Sequence, residues 1–415
     1  MLHTDLIPGL FRSEHQKICS VLCKFLGLER IDIAEDLAGE TFLAALETWP
    51  YQGVPANPTA WLYAVAKNKA KNYLVRNNLF TTKIAGELSK LASDVINVEP
   101  DLSQQNINDS QLQMLFAICT PVITPEAQVG LALRILCGFG IDEIATAFMS
   151  NKETINKRLY RAKEKLRSNN VSIAVPGPTA IAARLDAVLK VLYLLFNEGY
   201  YSESGNELIR KDFCEEAIRL TILLLENEDT NLPKVRALMA LMCFQSSRFA
   251  ARTSLSGDTI LYDDQDEEHW NHELIQRGVY WLHKASEGDS YSTYHLEATI
   301  AFWHTSKEDS PEKWENILQL YNKLLQLAYS PVAALNRTYA LSKARSVNVA
   351  LDEALKLGLD DNRFYHALLG ELYTSVDIKR AIRHFQLAIS LSERDAEIQS
   401  LLKKINKISS QPLTS

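Results

Sequence analysis

Apolar residues recur at a helical period along almost the whole chain. Residues 152–167 show this clearly, because Ile155, Leu159, Ala162 and Leu166 are spaced three or four positions apart. Such spacing places apolar side chains on one face of an α-helix, whereas the strict alternation of a half-buried strand is rare in this sequence. The sequence therefore predicts an all-α fold class.

The length of the chain and two breaks in this period predict several domains. A chain of 415 residues exceeds one ordinary hydrophobic core. Residues 81–110 are polar and lack the period, and residues 171–180 contain Pro176, Gly177 and Pro178, so both stretches are predicted linkers. The predicted domains are residues 1–80, 111–170 and 181–415.

The last predicted domain contains a repeat-like segment. Residues 365–390 approximate the tetratricopeptide (TPR) pattern, in which small residues let two antiparallel helices approach and aromatic residues fill the gaps. The matching positions are Leu369, Gly370, Tyr373, Ala381, Phe385 and Ala388. We therefore predict a TPR-like helical-repeat domain.

Cysteine use and hydropathy indicate a cytoplasmic protein. The six cysteines are scattered and form no C-x-x-C pair, which favours reduced thiols. No run of eighteen apolar residues suits a membrane span, and residues 1–16 lack the basic and apolar regions of a secretory signal. We expect a cytoplasmic location and no membrane partner.

Familiar enzyme motifs do not occur in the sequence, which has no phosphate-cradling glycine loop, nucleophile elbow or H-E-x-x-H. His269 and His272, beside the acidic residues of 263–268, leave a metal site as an alternative. An acidic cap at the N-terminus of a helix containing Trp270 explains these acids more simply. We expect no enzymatic activity, no cofactor and no metal.

Positive charge is concentrated in two short segments. The net charge of the chain is −7, but the charges of residues 1–170 cancel, so residues 171–415 carry the whole excess. Within the neutral part, residues 61–76 contain four basic residues and no acid, and residues 152–167 contain seven basic residues against two acids. Local clusters of this kind are typical of nucleic-acid contact.

On a helix, residues 61–76 present cations and amides on one side. The apolar positions Leu62, Ala66, Ala70 and Tyr73 face inward, and the outward rows contain Lys67, Lys71, Asn68, Asn72 and Arg76. Cations neutralise phosphates and amides hydrogen-bond base edges, although a solvated helix face is the alternative. The preceding loop 49–58 is rich in aromatic residues and proline. It could hold an unstacked base, and the alternative is a purely structural turn.

Residues 124–167 have the pattern of a helix-turn-helix. A glycine-containing turn and a short helix precede a long basic helix, and Ser150 followed by Glu153 predicts a capping box at its start. The residues placed for the major groove are Lys152, Glu153, Thr154, Asn156 and Lys157. Further cations opposite the apolar row are Arg158, Arg161 and Lys165. This motif predicts DNA binding, with a plain amphipathic helix as the alternative.

An acidic stripe occurs earlier in the chain. Asp36, Glu40 and Glu47 share one helix face, which is interrupted by the apolar Leu43. Such a face suits a protein partner with basic helices, or else it is a solvated surface.

The order of these segments resembles a known family. The segments "AEDLAGETFLAAL", "NPTAWLYAVAKNKAKNYLVR" and, after a linker, "RLYRAKEKLR" resemble the extracytoplasmic-function (ECF) sigma factors of the sigma-70 family over about residues 8–170. The segments "VLYLLFNEGY", "DDQDEEHW", "TYHLEATIAFWH" and "SPVAALNRTYAL" resemble the subgroup with a large TPR-like C-terminal extension.

The resemblance implies partners and residue roles. It implies that Asp36, Glu40 and Phe42 bind the bacterial RNA polymerase core. It implies recognition of the promoter −10 element by the helix of residues 61–76, through Trp61, Lys67, Asn68, Lys69, Lys71, Asn72 and Arg76. It implies that the 49–58 loop captures a flipped base, that residues 152–163 read the −35 element, and that 81–110 runs toward the RNA exit path.

Two other functions remain open. A helix-turn-helix regulator with a TPR-like sensor would bind duplex DNA without binding polymerase core, and it would have no need of the 31–76 block. A protein scaffold with solvated basic helices would not bind DNA in a salt-dependent way. For the sigma factor, the C-terminal extension is predicted to be regulatory, with an unidentified protein or peptide as a candidate partner.

Overall fold

Helices form the whole of the regular structure. The computed structural model describes residues 6–85, 99–148, 150–200, 211–252, 260, 262–288, 291–392 and 395–409. Within these ranges there are 19 α-helices and no β-strand, so the predicted all-α fold class is confirmed. No helix among the described residues is both long and apolar enough to cross a bilayer.

Two compact units divide the chain between Asn231 and Leu232. The helices of the N-terminal unit are α1 Leu6–Leu26, α2 Ile31–Gln52, α3 Pro58–Ala85, α4 Gln104–Ile118, α5 Pro125–Leu131, α6 Ile141–Ala147, α7 Lys152–Ser168, α8 Pro178–Tyr200 and α9 Lys211–Glu226. A short π-helical turn, Ala132–Leu136, follows α5.

The C-terminal unit continues as a series of shorter helices. They are α10 Pro233–Ser246, α11 Phe249–Arg252, α12 His272–Ala285, α13 Thr293–Trp303, α14 Pro311–Leu327, α15 Pro331–Ala344, α16 Val347–Leu355, α17 Arg363–Tyr373, α18 Ile378–Ser390 and α19 Asp395–Ser409. Side-chain caps begin several of them, because Ser310, Ser330, Ser346, Asn362 and Asp377 each accept a backbone N–H of the first turn.

The pair α17–α18 packs closely around one glycine. A Cβ atom added at Gly370 would lie 2.6 Å from the ring of Phe385, which is itself buried. Ala381 and Leu369 lie in the same core as Phe385, and Ala388 is buried on the same helix. The close approach of the two helices at Gly370 is therefore observed, while the TPR-like repeat stays a prediction.

The beginning of the region after residue 171 belongs to the N-terminal unit. Helices α8 and α9 pack against α4, and the ring of Phe213 on α9 meets that of Phe139 at 4.5 Å between centroids. Arg219 on α9 donates to Gln111 Oε1 on α4 at 2.9 Å and to the Leu136 carbonyl oxygen at 2.8 Å. These contacts tie α9 to the turn that precedes α6.

The predicted linker 81–110 is partly helical. Helix α3 continues to Ala85, and α4 begins at Gln104, where Ser103 caps it by accepting the Asn106 N–H. Residues 86–98 lie outside the described residues. The polar glutamines and asparagines of 104–110 weaken the apolar period, which is why the sequence did not reveal this helix.

Candidate nucleic-acid interface

Helix α3 presents the amide and cation face that the sequence predicted. Leu62, Ala66 and Ala70 are fully buried, so the helix has one fixed inward side. The exposed side chains on its other side are Asn68, Asn72 and Arg76, and Trp61, Lys67, Lys69 and Lys71 are half-buried. This arrangement allows phosphate neutralisation and hydrogen bonding from one surface.

Two lysines of this face are paired within the chain. Lys69 Nζ lies 2.9 Å from Glu40 Oε2 on α2, and Lys71 Nζ lies 3.3 Å from Glu99 Oε1. Both pairs are solvent-accessible, so each contributes little stability and can be exchanged for a phosphate. Without DNA, Lys69 and Lys71 of α3 are therefore paired with carboxylates of the same chain.

The aromatic residues beside α3 divide into a buried and an exposed group. Trp49 is buried, and its ring meets the half-buried ring of Trp61 at 5.4 Å in an edge-to-face arrangement. Tyr51, at the end of α2, is 90% exposed. Residues 49–52, which were predicted to belong to the 49–58 loop, therefore lie in α2, and the exposed stacking surface there is Tyr51.

Helix α7 begins with a cap that differs from the predicted one. The side chain of Asn151 accepts the Thr154 N–H at 2.8 Å, so Asn151 and not Ser150 is the N-cap. The predicted capping box was therefore wrong. Glu153 instead pairs with Lys157 one turn ahead, at 2.6 Å. Asparagine and serine cap about equally well, so composition alone could not choose between neighbours.

The buried and exposed faces of α7 are those that the sequence predicted. Its buried residues are Ile155, Leu159, Ala162 and Leu166. The exposed candidates are Lys152, Glu153, Thr154, Asn156, Lys157 and Arg161, and Arg158 is half-buried beneath the ring of Phe148. A shallow groove of about 380 Å³ between α5 and α7 is lined by Lys157, Arg158, Arg161 and Lys165. The groove is therefore a cationic surface, which attracts anions such as phosphate.

The acidic stripe of α2 is exposed, but Phe42, which the resemblance also assigns to core binding, is not. Asp36 and Glu40 face solvent, whereas Phe42 is only 3% exposed and packs against Phe11 at 5.0 Å between ring centroids. Phe42 supports the helix from inside and offers no surface to a partner. Leu43 and Leu46, each 53% exposed, provide the apolar surface of the stripe instead.

The electrostatics of this stripe favour a cationic partner. Partial burial and the neighbouring carboxylates Glu35, Asp32 and Glu40 raise the pKa of Asp36. A cation brought to this face would relieve that repulsion, so the stripe is suited to basic side chains.

Residues beside His269 and His272 act as helix caps. Asp266 caps a short 3-10 helix by accepting the Glu268 N–H at 3.0 Å, and Asn271 caps α12. Across the described ranges no three histidine, cysteine, aspartate or glutamate side chains are grouped to hold a metal ion. All six cysteines are buried and free.

Comparisons with known proteins identify two segments. Residues 10–79 match the family model of sigma-70 region 2, and residues 184–286 match a family of unknown function, DUF6596. The second match crosses the boundary at Asn231 between the two units.

Two relatives have detectable sequence similarity. The "Uncharacterized protein R00370" of Rhizobium meliloti (strain 1021) is 33% identical over 393 residues, which are 92% of each chain. The "RNA polymerase sigma factor YlaC" of Bacillus subtilis (strain 168) is 26% identical over 170 residues, 41% of this chain and 94% of that protein. No solved structure matches significantly.

Proposed function

We propose that this chain is a sigma-70 family protein that acts as an alternative RNA polymerase sigma factor, because residues 10–79 match sigma-70 region 2 and a Bacillus subtilis sigma factor is similar over 170 residues. The Rhizobium meliloti protein R00370 is 33% identical to this chain over 92% of both chains. It binds the bacterial core enzyme, recognises −35 and −10 elements and opens promoter DNA. It makes and breaks no covalent bond, needs no cofactor and acts in the cytoplasm. We further propose that it is a sigma factor of the ECF type with a TPR-like extension.

One observation carries this proposal: the region 2 match spans residues 10–79, which contain both the acidic stripe of α2 and the amide-cation face of α3. A regulator that binds only duplex DNA has no use for that pair of surfaces. We assign Asp36, Glu40 and the exposed Leu43 and Leu46 to core binding, with Phe42 as their internal support.

Both basic helices contact promoter DNA in this proposal. Phosphate contacts from α3 and α7 supply most of the affinity, and base contacts supply the selection. Asn68 and Asn72 on α3, and Asn156 at the start of α7, are exposed amides with the geometry to read base edges. Tyr51 provides the stacking surface for an unpaired base.

The decisive experiment is transcription in vitro with purified bacterial core polymerase on fragments of the protein's own genome, combined with permanganate probing of unpaired thymines. Specific start sites with melted DNA near −10 support the proposal. Duplex binding without core binding refutes it and favours the helix-turn-helix regulator.

Lys157→Gln gives a sharper version of this test. It removes one exposed cation from α7, so we expect weaker −35 binding and a salt slope smaller by about one. The matched control is Lys356→Gln in the C-terminal unit, because Lys356 also pairs with a glutamate on its own helix, Glu353, at 2.7 Å. The control should leave both the affinity and the salt slope unchanged.

The C-terminal unit is, in this proposal, a regulatory module that takes the place of a separate inhibitor and could bind an unidentified protein or peptide. Its removal should change promoter activity or its regulation. The appropriate truncation ends at Asn231, because a cut near residue 175 would also remove α8 and α9, which pack on α4. Unchanged activity and regulation after truncation at Asn231 would refute the regulatory role.

A further inference from the structure

In the C-terminal unit, aromatic and cationic side chains meet around the ring of Tyr262, and the proposed DNA and core contacts do not use them. The guanidinium carbon of Arg248, just after α10, and Nζ of Lys313, in the first turn of α14, each lie 5.6 Å from the centre of this ring. The ring centres of His304 and Trp270 lie 5.1 and 6.2 Å from it. We name these five residues the Tyr262 cluster.

Three buried polar atoms in this cluster lack a hydrogen-bond partner among the described residues. They are Arg248 Nε, Trp270 Nε1 and His304 Nδ1. The Trp270 side chain cannot turn its indole N–H to bulk solvent, because the residue is only 4% exposed. Leaving a buried donor unsatisfied destabilises a folded chain, so three such atoms around one ring indicate a shared partner.

The charge of the cluster is positive, although the C-terminal part of the chain is acidic. Among the described side chains no carboxylate forms an ion pair with Arg248, which contacts the face of Tyr262 instead. Two carboxylates that follow in the sequence are engaged elsewhere, since Glu267 accepts the Lys307 N–H at 2.7 Å and Asp266 caps a short 3-10 helix. A guanidinium with a buried Nε and no acid beside it attracts an anion.

The donor groups of the cluster suit an oxyanion. A guanidinium can donate two parallel N–H bonds to a carboxylate or a phosphate, and an indole N–H can only donate. Burial and the cations Arg248 and Lys313 lower the pKa of His304 to about 3, so this imidazole is neutral near pH 7 and can donate through Nδ1. Lys313 Nζ donates to the Ser306 carbonyl oxygen at 2.5 Å and is thereby held beside the ring as a fixed positive charge.

We propose that the Tyr262 cluster binds a small molecule through its carboxylate or phosphate group, with Arg248, Trp270 and His304 as the donors. The bound group joins the segment after α10 to the segments before α12 and after α13, so it stabilises the folded C-terminal unit. A regulatory role for this site rests on the proposed sigma function, whereas the binding does not.

The indole N–H signals in a proton–nitrogen NMR spectrum of the full chain test the binding. The six tryptophans give six such signals, and Trp270→Phe identifies the one from Trp270. Titration with inorganic phosphate or with acetate should shift this signal until it saturates, whereas sodium chloride at equal ionic strength should not shift it. Saturation by phosphate alone indicates a phosphate ligand, and saturation by acetate alone indicates a carboxylate ligand. If neither probe shifts the signal to saturation, the proposal is overturned.

Variants test whether Arg248 holds the anion. Arg248→Gln should weaken binding of the effective probe at least about tenfold, and Arg248→Lys, which keeps the charge but loses the planar fork, should weaken it less. Arg345→Gln is the matched control in the same unit, because Arg345 is exposed and pairs with Glu315 at 3.4 Å. Equal affinities in Arg248→Gln and the control overturn the proposal.

The binding proposal and the sigma proposal fail in different experiments. The titrations require neither polymerase nor DNA, so they decide the anion site even if the chain binds no core. If Arg248→Gln does not fold, the titration of the unmodified chain and of Arg248→Lys still decides whether the cluster binds an oxyanion.

Discussion

The first prediction concerns how far the stability of the N-terminal unit depends on α9. Phe213→Ala removes a fully buried ring that meets Phe139 in the turn before α6. Truncation of a buried phenylalanine costs about 3–5 kcal/mol, and this site has little freedom to collapse because Arg219 fixes α9 to α4 and to the Leu136 carbonyl. We expect the N-terminal unit to lose stability in that range, although the substitution lies more than forty residues beyond the end of α7.

Hydrogen exchange followed by mass spectrometry separates the two units within the intact chain. Some amides exchange only when this core opens. If the free energy of unfolding falls by about 3–5 kcal/mol, their exchange rate rises by at least about a hundredfold. We expect this increase in peptides from α4, α6 and α9. The matched control is Phe385→Ala, an equally large and buried ring, which should raise exchange in α17 and α18 alone.

The reasoning would be refuted if Phe213→Ala left the exchange of α4 and α6 at the wild-type rate. In that case α8 and α9 would pack on the earlier helices of the unit without stabilising them. A truncation near residue 175 would then be harmless to the N-terminal unit.

Three further predictions concern single residues. Gly370→Ala should destabilise the C-terminal unit by about 1–3 kcal/mol in thermal unfolding, because the new methyl group collides with Phe385. The control Gly39→Ala has no atom within 4 Å of the new Cβ, so it should be neutral or slightly stabilising in the same measurement. Asn151→Ala should cost about 0.5–2 kcal/mol through the lost cap of α7, detectable as faster exchange in its first turn. Burial and the nearby Arg134 lower the pKa of His15 from 6.5 to about 4. Between these two pH values the unfolded chain binds more protons than the folded one, so the free energy of unfolding should fall as the pH drops from about 6.5 to 4. His15→Leu should reduce this pH dependence of stability, and an unchanged slope would contradict the assignment.

Periodicity predicted the helices and their buried faces well. The all-α fold, the inward rows of α3 and α7, and the close approach at Gly370 all follow from the spacing of apolar and small residues. The family resemblance over region 2 is likewise supported by the match to residues 10–79. The ECF subgroup and the TPR-like nature of the extension stay predictions.

Long-range partners could not be predicted in the same way. Periodicity tells which face of a helix is buried but not which helix covers it. The pairing of Asp32 with Arg167 joins residues 135 positions apart, and neither residue has a local signal that distinguishes it from a solvated charge. For the same reason the sequence did not show that Phe213 packs on Phe139 in the turn before α6, or that Phe42 is buried.

Adjacent residues of α2 have different surroundings, and this affects how mutations in the helix should be interpreted. Glu35 turns toward α7 and its neighbour Asp36 turns toward solvent, about 100° away around the helix axis. Neutralising Glu35 removes a partner of Lys163 and Arg134 and should weaken the contact between α2 and α7, whereas neutralising Asp36 changes the solvent-facing stripe. A mutational screen of α2 should then find stability defects and surface defects at adjacent positions, and averaging over the segment would hide both.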